Sequence, residues 1–244
     1  MGPTESRSTT PADRLRVSPT LAHARVDDLW MVLDMADTSY FVFDEVASAI
    51  WEALLETGDA DAAVERVSAS WGEERERVRR DVDRFVARCR ERRWLVDDGA
   101  PAAPPDPRPP PRPPTARPSV ARACTTLAAT AWSLRRRGLR ETYERCARLP
   151  QPGGSGDLES AASAFRGAEN VVLSRRAPDD CLLRSLALFR FLRTCGIPAE
   201  HVIGVRRSPF WAHAWVESGG RLVLEVPAAV RGLTPLARLP VGTP

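Results

Sequence analysis

The chain carries the sequence Asp-Asp-Cys-Leu-Leu-Arg-Ser-Leu-Ala-Leu at residues 179–188, and this stretch decides how the rest is interpreted. Apolar side chains recur there every three or four residues, which predicts the buried stripe of an α-helix: Leu182, Leu186, Phe189 and Leu192. Asp179 or Asp180 suits the N-cap, and Gly196 suits the end. Cys181 would then lie in the first turn, where the helix dipole favours a thiolate. Two roles of Cys181 stay open at this point: a catalytic nucleophile or a buried structural thiol.

The composition limits the class of protein. A chain of 244 residues allows one large or two small domains. No apolar run approaches the roughly 20 residues that span a bilayer, and the polar N-terminus lacks the apolar core of a signal peptide. The five cysteines are an odd number without a Cys-x-x-Cys pair. We therefore expect a cytoplasmic protein with no membrane association, no disulfide framework, no metal site and no cofactor.

The charge is unevenly distributed along the chain. The net charge is +3, and all 35 basic residues are arginine, which excludes a lysine nucleophile or Schiff base. Residues 27–98 contain 10 Arg against 19 Asp and Glu, a net −9, whereas residues 120–244 contain 18 Arg against 10 acids, a net +8. This asymmetry predicts two electrostatically distinct domains.

A proline-rich segment separates the two charged regions. Ten prolines lie between Pro101 and Pro118. Such a segment favours the extended polyproline II conformation and predicts a semi-rigid linker. The predicted organisation is a disordered N-terminus at 1–14, a first domain at 15–98, the linker at 99–119 and a second domain at 120–244.

The first domain has the pattern of a β-hairpin followed by three helices. The apolar runs 29–33 and 40–43 predict the hairpin, and helices are expected after Asp44, after Asp59 and over residues 73–93. The pattern fits a winged helix-turn-helix. DNA binding needs a positive surface, which a net −9 disfavours, although the third helix is locally basic. Docking of an extended peptide on the hairpin edge needs no positive field.

The same residues resemble a known peptide-recognition domain. The matching runs lie at 33–34, 40–44, 50–54, 81–82 and 85–86. They are similar to the recognition domain of ribosomally made, modified peptide pathways, a relative of the chaperone protein of pyrroloquinoline quinone synthesis. The resemblance implies that a leader peptide is bound as an added strand, against the third strand and the third helix. The leader-binding residues expected from it are Tyr40, Phe41, Val42 and Phe85, and core packing is the alternative role of these side chains.

Along the second domain, the candidate catalytic residues follow one another in the order nucleophile, base and orienting carboxylate. One or two helices over 120–148 and another over 158–173 precede the opening stretch, and strands follow at 201–205, 212–217 and 221–226. His213 lies in the middle of the second strand, between Trp211 and Trp215. A helix with a cysteine followed by strands with a histidine and a carboxylate is the order of a cysteine hydrolase.

The hairpin register decides which carboxylate reaches His213. A two-residue turn at Gly219-Gly220 would direct Glu225 to the opposite face of the sheet. A three-residue loop, Ser218 to Gly220, would pair His213 directly with Glu225, with Cβ atoms about 4.5–5.5 Å apart. We predict the three-residue loop, with Glu217 as the fallback carboxylate.

A second resemblance covers residues 120–230. Its motifs are Cys181-Leu182-x-Arg184-Ser185-Leu186-Ala187-Leu188, Gly196-Ile197-Pro198-Ala199, Ile203-Gly204-Val205 and Ala212-His213-Ala214-Trp215-Val216-Glu217. They resemble the transglutaminase-like, papain-like cysteine protease of lasso peptide biosynthesis. The resemblance implies that the leader of a lasso precursor peptide is removed and that an ATP-dependent cyclase is the partner. Its catalytic Cys and His fall on Cys181 and His213, and its Asp falls on Glu225, which is a departure from the family pattern.

The sequence therefore predicts an α+β protein in which a winged-helix-like recognition domain is joined to a transglutaminase-like domain. The expected activity is that of a cysteine endopeptidase with the set Cys181, His213 and Glu225. Two alternatives stay open. One is a transglutaminase-type acyl transferase with the same residues, and the other is a non-enzymatic winged-helix regulator.

Overall fold

The computed structural model describes residues 14–98, 116–150, 152, 156–172 and 180–240. Within these ranges the chain divides into two compact units. The predicted disordered N-terminus and most of the predicted proline linker lie outside the described residues. The domain boundaries at 15–98, 99–119 and 120–244 stay predictions.

The first unit contains two small antiparallel sheets. Strands β1 (Leu15–Val17) and β5 (Leu95–Asp97) form one pair, and β2 (Leu21–Val26), β3 (Leu29–Asp34) and β4 (Ser39–Val42) form a three-stranded sheet in that order. The predicted hairpin is therefore present as β3 and β4. In this sheet β4 pairs only with β3, so one edge of β4 has no strand partner among the described residues.

Three helices follow the sheet, and the predicted caps Asp44 and Asp59 are confirmed, whereas the third helix is two residues shorter at each end than the predicted 73–93. Helix α1 (Glu45–Thr57) is capped by Asp44 and ends at Gly58, and α2 (Ala60–Trp71) is capped by Asp59. Each capping carboxylate accepts a hydrogen bond from a first-turn N–H, which satisfies a donor that the helix cannot. Helix α3 spans Arg75–Glu91 and buries the predicted stripe of Val78, Val82, Phe85 and Cys89.

Aromatic side chains form the core of the first unit. Phe43 contacts the rings of Trp51 and Phe85 edge-on, with centroids 5.5 and 5.4 Å apart. Trp94 donates its indole N–H to the buried carboxylate of Asp34 at 2.8 Å, so this buried polar group has a partner. The core therefore ties the β3–β4 hairpin to α1 and α3. The assignment of this arrangement as a winged helix-turn-helix stays a prediction.

Helices α4 to α6 build one layer of the second unit. The segment α4 (Val120–Ala147) consists of two helices that meet at Gly138, whose φ of 74° and ψ of 179° are not helical. Of the two predicted alternatives, one helix or two, the structure has two. Helix α5 spans Leu158–Val172, and α6 spans Cys181–Thr194. Helix α6 is largely enclosed, because Leu186, Phe189 and Leu192 of the predicted stripe and neighbouring side chains such as Phe191 are buried. Leu182, the first residue of the predicted stripe, is only partly buried.

An antiparallel four-stranded sheet packs beside α6. Its order is β8 (Arg221–Leu222), β7 (Trp211–Ser218), β6 (Glu200–Arg206) and β9 (Thr234–Leu239), and the short helix α7 (Pro227–Val230) precedes β9. Strand β9 was not predicted from the sequence. The strand predicted over 221–226 is too long. The observed strand β8 pairs with β7 and ends at Leu222. Together the helices and sheets give the mixed α+β content that was expected.

Candidate active site

The N-terminus of α6 places Cys181 at the first helical position. Asp180 is the N-cap, and its carboxylate accepts a hydrogen bond from the N–H of Leu183 at 3.3 Å. Asp179, the other predicted cap, lies outside the described residues. Cys181 is half-buried, so its thiol is held in place while part of its surface faces solvent. A thiol held in the first turn of a helix and still open to solvent meets the geometric needs of a nucleophile.

The Cys181 thiol contacts His213 on β7. Burial by itself raises the pKa of the thiol. The hydrogen bond with the His213 side chain, the hydrogen bond from the backbone of Ala214 and the charge of His213 outweigh burial, and the pKa of Cys181 lies below its ordinary value. The same hydrogen bond with Cys181 is the largest influence that raises the pKa of His213. Opposite shifts of the two pKa values favour a thiolate–imidazolium pair.

The early end of β8 makes room for this contact. Strand β8 pairs with β7 only at Ser218↔Arg221 and Glu217↔Leu222, and a further bond joins the N–H of Val223 to the carbonyl of Val216. Beyond that point the edge of β7 has no strand beside it among the described residues. At this open edge, the backbone N–H of Ala214 donates a hydrogen bond to Cys181. If β8 continued in the same register, its residues would pair with the part of β7 that contains Ala214.

The predicted three-residue loop is wrong. The pairing of Ser218 with Arg221 leaves a two-residue turn, and Gly219 and Gly220 both have positive φ angles of 57° and 74°. This is the combination that a type I′ hairpin turn requires, and glycine adopts it without steric cost. In a regular strand this register would direct Glu225 to the face opposite His213.

Glu225 nevertheless reaches His213, because the chain leaves the strand conformation first. Leu224 has a φ of 54°, which is costly for a branched side chain and changes the direction of the chain just before Glu225. The Glu225 carboxylate lies 2.8 Å from Nε2 of His213. Its other oxygen accepts the N–H of Val226 at 3.0 Å, which fixes its orientation. The contact with His213 leaves Nδ1 as the ring nitrogen available to Cys181.

Glu217, the fallback carboxylate, is engaged elsewhere. It accepts the indole N–H of Trp215 at 2.7 Å and faces Arg238 at 3.4 Å. The structure thus brings Cys181, His213 and Glu225 together and keeps Glu217 away from the imidazole.

Trp215 forms a wall beside the imidazole. The two rings are nearly parallel, at an interplanar angle of 17° with centroids 6.4 Å apart. The indole lies over Gly204, which pairs with His213 on the neighbouring strand; a Cβ at Gly204 would come within 2.6 Å of the indole ring. Gly204 therefore provides the space that Trp215 needs next to His213, a role that the sequence analysis missed.

A buried serine and histidine support the start of α6, and both were missed as site residues. Ser185 donates its hydroxyl to the carbonyl of Cys181 at 2.6 Å and lies 2.9 Å from Nε2 of His201. Since the hydroxyl proton is used on the carbonyl, Ser185 accepts from His201, so His201 carries its proton on Nε2. His201 is fully buried, and burial lowers its pKa to about 3, which keeps the ring neutral.

Arg184 lies one turn after Cys181 and carries a charge next to the site. Its Nε donates to Glu169 on α5 at 2.7 Å. Burial alone would lower the pKa of Arg184, but the hydrogen bond with Glu169 and the charges of Glu169, Glu225 and Cys181 raise it. Arg184 is thus a fixed cation near two anionic members of the site, and it also joins α5 to α6.

The predicted leader-binding residues lie in the first unit, three of them on β4 and the fourth on α3. Tyr40 and Phe41 are partly buried, and Val42 is 46% exposed. Phe85 is only 5% exposed and packs against Phe43 and Trp51, so its surroundings are those of a core residue. Tyr40, Phe41 and Val42 belong to the strand with the unpaired edge, and Phe41 also packs against the core. Their role and that of Phe85 in leader binding stay predictions.

The arrangement around Cys181 can perform acyl chemistry. A thiol with a lowered pKa, an imidazole in contact with it and a carboxylate behind the imidazole are the groups that covalent catalysis by cysteine uses. No cluster of three or more metal-binding side chains occurs among the described residues. In the same part of the chain, no helix is both long and apolar enough to cross a bilayer.

Two family models match the chain, one in each unit. Residues 121–238 match the transglutaminase-like superfamily, and residues 30–95 match coenzyme PQQ synthesis protein D, PqqD. The first match includes Cys181, His213 and Glu225, and the second includes strands β3 and β4 and the three helices of the first unit.

Two known proteins share parts of the sequence. The chain is 50% identical over 48 residues to the microcin J25-processing protein McjB of Escherichia coli, which is 20% of this chain and 23% of that protein. The chain thus matches less than a quarter of the length of this curated relative. The solved structure of TbiB1 in complex with the TbiA(beta) leader peptide is 28% identical, with a TM-score of 0.31, and the match covers 36% of this chain and 99% of that chain.

Proposed function

Because the chain joins a PqqD-type recognition domain to a transglutaminase-like domain, as lasso peptide biosynthesis B proteins do, we propose that it binds the leader of a precursor peptide and cuts it off. The observation that carries the proposal is the contact chain from Cys181 through His213 to Glu225. The expected partner is an ATP-dependent cyclase that closes the released core peptide into a ring, and both proteins would act in the cytoplasm.

Leader recognition is proposed for the free edge of β4. An extended peptide can add to a sheet edge by main-chain hydrogen bonds, while side-chain pockets give selectivity. The unpaired edge of β4, with Tyr40, Phe41 and the exposed Val42, supports this choice. The PqqD match covers this unit, and McjB, which matches part of the chain, is described as a processing protein.

The proposed reaction begins with proton transfer inside the pair. His213 holds the proton of Cys181, and Glu225 accepts a hydrogen bond from the imidazolium and keeps the ring oriented. The thiolate attacks the carbonyl carbon at the junction of leader and core. Negative charge develops on the carbonyl oxygen, where free N–H groups of the first turn of α6 can stabilise it.

The intermediate then divides in two steps. His213 gives its proton to the leaving amine, so the core peptide departs with a free α-amine and the leader stays on Cys181 as a thioester. Water, deprotonated by His213, attacks the thioester and releases the leader with a free carboxylate. The step restores Cys181 and His213 to their starting states, and the whole reaction consumes one water.

The test is incubation of the full chain with the precursor peptide encoded beside it, read by mass spectrometry. Cys181→Ala removes the nucleophile, so cleavage should fall to background while leader affinity stays within twofold of wild type. Cys124→Ala is the matched control, because Cys124 is a partly exposed free thiol on α4 outside the site. Persistent cleavage by Cys181→Ala would refute the nucleophile.

The carboxylate is tested in the same assay. Glu225→Gln keeps the shape of the side chain but removes the charge behind the imidazole, so we expect a rate loss of roughly 10²-fold or more. Glu217→Gln, on the same strand as His213, should change the rate less than fivefold. Equal losses in both variants would show that Glu225 has no special role.

A further inference from the structure

The arginines of α3 fall into two sets. Five of them face carboxylates within the first unit, so their charge is neutralised: Arg75, Arg77, Arg79, Arg84 and Arg90. Arg80 and Arg88 on the helix, and Arg92 and Arg93 directly after it, have no carboxylate partner among the described residues. In a region with a net −9, these four cations are a feature that ion pairing within the unit does not explain.

Arg92 is held beside the edge strand. This exposed residue caps the end of α3, and its guanidinium lies over the rings of Phe41 on β4 and Trp94, 4.6 and 5.2 Å from their centroids. The two rings themselves meet edge-on at 4.9 Å. Stacking of this kind orders the guanidinium plane while its N–H groups stay free to donate. A prearranged guanidinium without an anion is suited to bind a carboxylate in two-point fashion.

Arg88 lies one helical turn before Arg92 on the same side of α3, whereas Arg80 lies on the side away from the buried stripe of Val82, Phe85 and Cys89. Four helical residues rise by about 6 Å, and alternate residues of an extended strand are about 6.6 Å apart. The two arginines therefore match the spacing of side chains i and i+2 on a strand that runs beside β4.

We propose that Arg92, assisted by Arg88, is a carboxylate-binding subsite that recognises acidic side chains at alternate positions of a peptide strand added to β4. The inference rests on the proposed leader docking and specifies the chemistry of the leader segment at this point. The acidic surroundings sharpen the selection, because an acidic peptide is repelled elsewhere on the unit and attracted only at this end of α3.

The test is the affinity of the full chain for the fluorescein-labelled leader of the precursor encoded beside it, measured by fluorescence anisotropy. Arg92→Gln should weaken binding roughly five- to tenfold, because it removes a charge-assisted pair. Arg80→Gln, the matched control on the same helix, should change the dissociation constant less than twofold. Arg92→Lys keeps the charge but loses the planar stack, and it should fall between wild type and Arg92→Gln.

A second peptide makes the assignment specific. The second peptide is the leader with its Asp and Glu residues replaced by Asn and Gln. The wild-type protein and the Arg92→Gln variant should bind this peptide with equal affinity. Equal affinity of Arg92→Gln and Arg80→Gln for the native leader would overturn the inference alone, and absence of leader binding by wild type would overturn the proposed docking as well. Arg92-dependent binding of a labelled DNA duplex without leader binding would assign the arginines to nucleic acid instead.

Discussion

The pKa of Cys181 shifts in the opposite direction from that of the three buried cysteines, and the cause is the hydrogen-bond partners of its thiol. Burial raises the pKa of Cys89 to about 12 and that of Cys146 to about 11, and it also raises the pKa of Cys195. At Cys181 the same burial is outweighed by His213 and by the backbone of Ala214. The chemistry of this thiol is therefore a property of its contacts with β7.

The pH dependence of Cys181 alkylation follows from these contacts. In wild type the pKa of the thiol lies below 9.0, so thiolate persists and iodoacetamide reacts at lower pH than with an ordinary cysteine. His213→Ala removes the largest influence that lowers the pKa and leaves the burial that raises it. The midpoint of the alkylation rate against pH should therefore move upward.

The alkylation experiment has an internal reference. Peptide mapping reports Cys124 in the same sample, and its profile should be the same in wild type and in His213→Ala. An unchanged midpoint at Cys181 would mean that His213 does not set the pKa of this thiol.

The residue scale also shows what the sequence could and could not predict. Cys181 and His213 could be found, because a cysteine at a helix start and a histidine between two tryptophans are local patterns. The contact between Ser185 and His201 could not be predicted, although Ser185 lies in the Cys181 motif, since it joins a helix to a strand through tertiary packing. Glu225 was predicted correctly as the partner of His213, but from a hairpin register that is wrong. The sequence does not indicate the left-handed conformation of Leu224, which brings Glu225 to His213 in the observed register.

At the scale of elements, the sheet of the second unit differs most from expectation. Strand β9 was missed because Pro235 lies within it and proline disfavours strands. The sheet order places β9 at an edge, where a missing N–H costs little. The predicted strand 221–226 pairs with β7 only over Arg221 and Leu222, and the chain then turns so that Glu225 reaches His213. In both cases the tertiary neighbours, and not local propensity, decide the strand.

Strand β4 carries the element-scale prediction. The double variant Tyr40→Ala/Phe41→Ala should weaken leader binding roughly tenfold or more, because truncation of interface aromatics commonly costs 1 kcal/mol or more each. Isothermal titration calorimetry measures the affinity, and circular dichroism checks that the first unit still folds. Trp71→Ala is the control, because Trp71 is another large, 45% exposed aromatic of the same unit.

The outcome that contradicts this placement is simple to recognise. A folded double variant that binds the leader as tightly as wild type would mean that β4 is not the docking edge. The sheet has a second edge at β2, and residues of that strand would then be the next to test.

At the scale of the whole molecule, two units of opposite charge divide the work that we propose. The first unit is acidic and offers a strand edge with a local pair of arginines, while the second is basic and holds the thiol. This division was predictable, because charge counts and the proline-rich segment are visible without coordinates. The contacts inside each unit were not, because they depend on packing between residues far apart in the chain.

Acid should destabilise the second unit through His201. Its pKa is about 3 in the folded protein and 6.5 for an ordinary histidine, so the unfolded chain binds more protons between these values. Stability is therefore lost as the pH falls below 6.5. Between pH 7 and pH 5 the loss from this residue is about 2 kcal/mol.

Urea unfolding at both pH values measures the effect. His201→Gln should reduce the pH dependence of the free energy of unfolding by about that amount, whatever its own stability at pH 7. Contributions from His23 and His213 occur in both proteins and cancel in the difference. An equal pH dependence in wild type and variant would show that His201 is not buried as a neutral ring.

The central claim, that Cys181 removes a leader by hydrolysis, is tested most directly by cleavage of the precursor in water enriched in oxygen-18. The account predicts two products whose masses add up to precursor plus one water, with one heavy oxygen in the new carboxylate of the leader. Intact precursor, or a leader joined to an amine without the heavy oxygen, would contradict it; the second result would assign the same three residues to acyl transfer instead.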